Sequence, residues 1–170
     1  MKKYFILLII NVLFSCQSSK NPIDSQIKEL KQGLAEQWKI MLMYDKKKIK
    51  LVEDFIKKVK KTSNFNQKYI DSVEIAKKNV LLTQLDQQKM YDSNKIDEYD
   101  QATTKMLVLL NKIDLSSQKE IQEIREKIKE IDNGDLLRRI HYDDLARTWN
   151  LICKTENKLK KVPLFSLTGE

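Results

Sequence analysis

The stretch Glu120–Ile152, "EIQEIREKIKEIDNGDLLRRIHYDDLARTWNLI", decides the fold class. Ile121, Ile124, Ile128 and Ile131 recur in steps of three and four, and Tyr142, Leu145, Trp149 and Ile152 resume the same register further on. Such spacing draws one apolar stripe along an α-helix, and no strand-like alternation competes with it. Between the two runs the core-phase positions are polar, Asp135 and Arg138, and they directly follow Asn133-Gly134. That pair has turn chemistry, but glycine inside a helix costs only ~1 kcal/mol and the register survives it. The expectation is one helix reaching Leu159, kinked or frayed at Gly134. At about 45 residues it would be roughly 65 Å long.

The rest of the chain repeats the pattern. Pro22 suits a helix entry, and Ile23, Ile27, Leu30, Leu34, Trp38, Met41, Ile49, Val52, Ile56 and Val59 mark one long first helix that Asp45 interrupts. "KKTSNFNQ" breaks it, offering Thr62, Ser63 or Asn64 as a cap for the next. A second helix carries Tyr69, Val73, Ala76 and Val80, and a third Ile96, Tyr99, Met106, Leu110 and Ile113. The polar "DQQKMYDSN" between them leaves open two helices or a single bent one. With three Gly and two Pro in 170 residues, little interrupts helices, and 41% hydrophobic residues suffice for a core. The expected fold is all-α: an elongated antiparallel up-and-down four-helix bundle with long first and last helices, spanning 23–161 and followed by a tail, 162–170.

The N-terminus reads as an address. Lys2-Lys3 precede an apolar run, Tyr4–Phe14, long enough for a secretory signal and well short of the ~20 residues that span a bilayer. Leu13-Phe14-Ser15-Cys16 resembles the bacterial lipobox. This implies a lipoprotein signal peptide over 1–15, removal of it before Cys16, diacylation of the Cys16 sulfur and acylation of the new amino terminus. More than one chain is needed for stable anchoring, because each buried CH₂ contributes roughly 0.8 kcal/mol. Residues 16–22 then form a polar tether. No acidic run follows Cys16, and a periplasm-facing location in the cell envelope is expected.

Cys153 is then a lone thiol, expected to be a small semi-buried apolar residue at helical spacing from Trp149. A di-iron bundle site would need paired Glu-x-x-His motifs, whereas the chain has one His and Arg138 stands three before it. His141 and Asp144 could supply two metal ligands where three or four are required, so His141 is expected to be a solvated or hydrogen-bonded helix residue. No Ser-His-Asp arrangement, phosphate loop or Cys-x-x-Cys appears. The expectation is a non-enzyme without cofactor or metal.

Net charge is +8, or +6 once Lys2 and Lys3 leave with the signal. Outside the cytoplasm that favours acidic lipid, glycan or protein over nucleic acid. The basic runs hold Lys46, Lys47, Lys48 and Lys50, then Lys57, Lys58, Lys60 and Lys61, then Lys158, Lys160 and Lys161. Most are expected to be solvated or to complement helix C-termini.

"EIDNG" with "RRIHYDDLARTWN" resembles the signature segment of the LemA family. Asp132-Asn133 takes its Glu-Asn place, Arg139 its Arg, Tyr142-Asp143 its first Tyr-Asn and Trp149-Asn150 its second. The match runs back through Ile128, Ile124 and Ile121 to Asp114-Leu115. A second block runs from Trp38 through Lys47-Lys48 to "LVEDFIKKVK". Glu53 and Ile113 stand where the family has proline, and Gly134-Asp135 replace an Arg-Ile pair, as in a divergent member. The resemblance implies a membrane-tethered, extracytoplasmic long helical bundle and little about activity, with lipid here in place of the usual transmembrane anchor. The expected function is a lipid-anchored module that binds an envelope protein, or else a structural protein whose basic faces lie on anionic lipid or glycan.

Overall fold

The computed structural model describes residues 22–62, 66–114, 118–156 and 159–165. The expected signal peptide, Cys16, Ser63, Asn64, Leu115, Lys158 and residues 166–170 lie outside them. The described residues form α1 (Pro22–Lys60), α2 (Gln67–Thr83), a 3-10 turn (Gln87–Tyr91), α3 (Ser93–Asn111) and α4 (Lys119–Thr155), with no strand. The fold is the all-α bundle with long outer helices. In α1 Leu34, Trp38, Met41, Asp45, Lys48, Val52, Phe55 and Val59 form a buried stripe in steps of three and four, with Ile49 and Ile56 buried beside it. In α4 Ile121, Ile128, Asp135, Tyr142 and Trp149 are buried at strict seven-residue intervals. Matching heptad stripes let two helices pack along their whole length.

Pairing is antiparallel: Trp38 meets Tyr142, Lys48 meets Asp132 and Asp135, and Lys58 meets Glu120. The closest backbone packing joins α1 with α4 and α2 with α3, while α2 also lies against α1. Lys60–Glu74 and Lys77–Glu53 bridges tie that last pair. Between α2 and α3 the polar segment forms a separate turn, because two aspartates cap it. Asp86 accepts from the N–H groups of Gln88 and Lys89, and Asp92 from that of Lys95 at the start of α3. Trp38 Nε1 donates to the Asp86 carbonyl at 3.0 Å and fastens the turn to α1. Two separate helices form here, not a single bent one. The cap of α2 is Asn66, whose side chain accepts from Lys68 N, so Thr62 does not fill that role.

α4 is shorter than its register suggested: 37 residues, about 56 Å at 1.5 Å per residue. The chain leaves the helix at Glu156 and folds back along it. Asn150 exchanges two hydrogen bonds with the Val162 backbone, at 2.8 and 2.9 Å. Trp149 Nε1 donates to the Lys160 carbonyl, and Asp143 accepts from Phe165 N. Val162 and Phe165 are buried, and Phe165 completes an aromatic cluster with Trp38 and Tyr142 at centroid distances of 5.5–6.0 Å. Leu159 therefore lies beyond the helix.

The helix runs unbroken through Asn133-Gly134, so no frayed turn forms. Gly134 is there for space: a Cβ at this position would stand 2.5 Å from Cε1 of the Tyr44 ring on α1. Gly134→Ala should therefore destabilise the bundle, forgoing the ~1 kcal/mol that alanine normally gains inside a helix. In a Tyr44→Ala background the same change should stabilise it by about that amount. Urea unfolding of the four variants checks this, and equal effects in both backgrounds would remove the packing explanation.

Candidate functional site

The polar interruptions in the two long stripes meet at mid-bundle. Asp45 and Lys48 occupy consecutive core positions of α1, and Asp135 occupies the central heptad position of α4. Lys48, 1% exposed, places its ammonium 2.7 Å from Asp132 Oδ1, 3.2 Å from Asp135 Oδ2 and 3.7 Å from Asp45 Oδ1. Arg139, one turn beyond Asp135, donates from Nε to the same Asp135 oxygen at 3.1 Å and from Nη1 to Asp100 of α3. One carboxylate oxygen thus takes donors from two cations. Three helices are joined through a single charged cluster.

The electrostatics follow from burial. Burial opposes the charge of Lys48, but Asp135, Asp45 and Asp132 outweigh it and hold the ammonium above the ordinary lysine value. Arg139 is kept charged likewise, by Asp135, Asp100 and Asp45 against burial. For Asp45 the balance reverses. Burial, reinforced by the Asp135 charge, pushes its carboxyl up to about 6 despite Lys48 and Arg139. Burial also raises Asp100, against the pull of Arg139, and burial and Asp45 raise the Tyr99 phenol. Asp45 Oδ1, Asp135 Oδ1, Tyr99 Oη and Thr103 Oγ1 are buried with no hydrogen-bond partner among the described residues. Over the cluster, between α3 and α4, opens a polar recess of about 280 Å³ whose walls include Thr103, Thr104 and Asn133.

Read from sequence, Lys48 belonged to a solvated basic run. The structure corrects this: its neighbours Lys46, Lys47 and Lys50 are exposed, whereas Lys48 is in core register with Asp45 and Val52. Arg139 reaches the cluster, rather than Arg138, which stood at the core-phase position. The signal was present as two polar residues, Asp45 and Asp135, each at a core position near the middle of a long stripe. Of the residues in the family-like segment, Asp132 and Arg139 join the ionic cluster, and Asp143, Trp149 and Asn150 hold the returning chain. His141 is exposed, and Asp144 pairs with Arg147 at 3.1 Å. Cys153 is buried, and burial pushes its thiol up, away from the reactive thiolate. Among the described residues no group of three or more His, Cys, Asp or Glu is placed to hold a metal ion, and no helix is long and apolar enough to cross a membrane. No family model matches the sequence, and no curated protein matches it significantly.

Chemically the cluster can bind and orient, with its cations already satisfied by its own carboxylates. Its pH response has a definite sign. Folding raises the Asp45 carboxyl from 3.8 to about 6, so the folded chain holds that proton more tightly than the unfolded one. The resulting stability is fully present below about pH 4 and is lost as pH rises through about 6. Asp45→Asn should thus be at least as stable as the parent at about pH 7.5, and its stability should change less between about pH 7.5 and about pH 5. Urea midpoints across that range measure both. Superimposable pH profiles for the two proteins would show that Asp45 titrates normally.

Proposed function

We propose that this chain is a lipid-anchored, extracytoplasmic module of the LemA type, which is held at the bacterial envelope through Cys16 and acts by binding another envelope protein, without catalysis. The anchor rests on the order of Lys2-Lys3, the Tyr4–Phe14 run and Leu13-Phe14-Ser15-Cys16. The family reading rests on the segment from Asp132 to Asn150 and on the block from Trp38. The non-enzymatic reading is supported by the central ionisable groups, which are paired with one another, Lys48 and Asp135 being buried.

One observation carries the binding role. On the outer side of α4, Leu137 and Leu151 are each 60% exposed, with Leu136 and Ile140 at 44% and 41%. These four residues fall within roughly 100° of the helix circumference, opposite the heptad stripe that faces α1. Leu136, Leu137 and Ile140 share adjacent turns as one apolar patch, with Leu151 on the same face about three turns further on, beyond the exposed Asp144–Arg147 pair. Singly exposed leucines are ordinary, whereas such a patch matches a surface that packs against another helix. The occupant we assign is a helix of a second envelope protein.

Crosslinking of the membrane-bound full chain in intact cells should recover one recurrent envelope protein. Leu137→Glu with Leu151→Glu should abolish that product while membrane attachment persists, and Cys16→Ala should abolish lipid labelling. Recovery of no recurrent protein, or of one indifferent to the α4 changes, would overturn the binding role.

A further inference from the structure

We infer that the groove between the end of α1 and the start of α4 docks an acidic, amphipathic segment of a partner protein. This rests on the interaction-module reading but uses a surface separate from the α4 leucine patch. The groove is open, about 840 Å³ in volume, and carries Lys57, Lys58, Lys61, Lys119 and Lys127 against only two carboxylates, Asp54 and Glu120. Its floor is apolar, formed by Leu51, Ile121 and Ile124. Antiparallel packing of α1 on α4 creates it by bringing lysines from distant parts of the sequence to facing walls.

Ordinary helix electrostatics explain only part of this arrangement. Lys57 and Lys58 stand in the last turn of α1, where a cation complements the dipole. Lys119 is the first residue of α4, the end at which the dipole disfavours a cation, and Gln118 makes no side-chain capping bond there. Among the described residues only Lys58 of the five is ion-paired, with Glu120. The surface therefore concentrates unneutralised positive charge around apolar side chains. Carboxylates on one face of a segment would meet the lysine walls while apolar side chains on the other reach Leu51 and Ile124.

A concave site fits a chain segment better than a flat bilayer. The groove also lies roughly 50 Å along α1 from Pro22, where the membrane tether would enter.

The test uses the full chain and a fluorescent synthetic helix with Glu on one face and Leu on the other. Fluorescence anisotropy should show binding that weakens with salt. Binding should weaken by about tenfold or more on combined Lys57→Glu, Lys61→Glu and Lys127→Glu substitution. It should also weaken when the peptide leucines become serine. Helical content and thermal midpoint report whether the substituted chain folds, and the corresponding glutamine variants serve if it does not. Peptide affinity indifferent to these changes would overturn the proposal. So would lysine-dependent flotation with phosphatidylglycerol vesicles in the absence of peptide binding, since the groove would then be a lipid site. The α4 leucines take no part in this assay, so the docking role of that face stands or falls separately.

Discussion

The constraint on which the bundle depends is that Lys48 cannot be buried alone. An unpaired ammonium in a helix-bundle core carries an effective penalty of several kcal/mol, so α1 must meet α4 at the one register that supplies Asp132 and Asp135. Apolar heptads alone tolerate sliding by a whole repeat more readily, because Leu, Val or Phe of α1 against Ile of α4 makes a similar contact at each repeat. A slide of seven residues would move Ile128 or Tyr142 opposite Lys48 and leave Asp135 among apolar groups. The ionic cluster therefore fixes alignment more than it adds stability, the best-attested role of buried polar groups in helical seams.

Several other features follow from that alignment. With Lys48 set against Asp135, Tyr44 lies over Gly134, and Trp38 faces Tyr142. Phe165 then closes the aromatic cluster, stacked under the Arg139 guanidinium at 4.7 Å. The same Arg139 ties α3 through Asp100, linking the two helix pairs where their backbones do not approach closely. The basic groove is likewise a consequence, since Lys57 and Lys61 face Lys119 and Lys127 only in this register.

Much of the fold was legible in the sequence because helical periodicity is local. The stripes from Leu34 to Val59 and from Ile121 to Trp149 announce two long helices without any knowledge of their partner. Pairings across the bundle are not local. Lys48 stands within "DKKKIK" and looks solvated unless its register is counted from Met41 and Asp45. The break after Lys60 was visible, but which polar residue caps α2 depended on where the helix restarted, and Asn66 rather than Thr62 met the Lys68 N–H. The returning chain at Val162–Phe165 was hidden for a further reason: its hold on α4 comes from single side chains, Asp143, Trp149 and Asn150, that carry no periodic signal.

Lys48 and Asp135 thus act as one unit that sets the register. A double-mutant cycle with Lys48→Met and Asp135→Leu, followed by urea unfolding, measures that coupling. Each single change should destabilise the bundle by up to about 3–5 kcal/mol by removing one partner of a buried pair, with Arg139 and Asp132 still contacting the charge that remains. The double variant should lose clearly less than the two single losses combined. Additive losses in the double variant would contradict the claim.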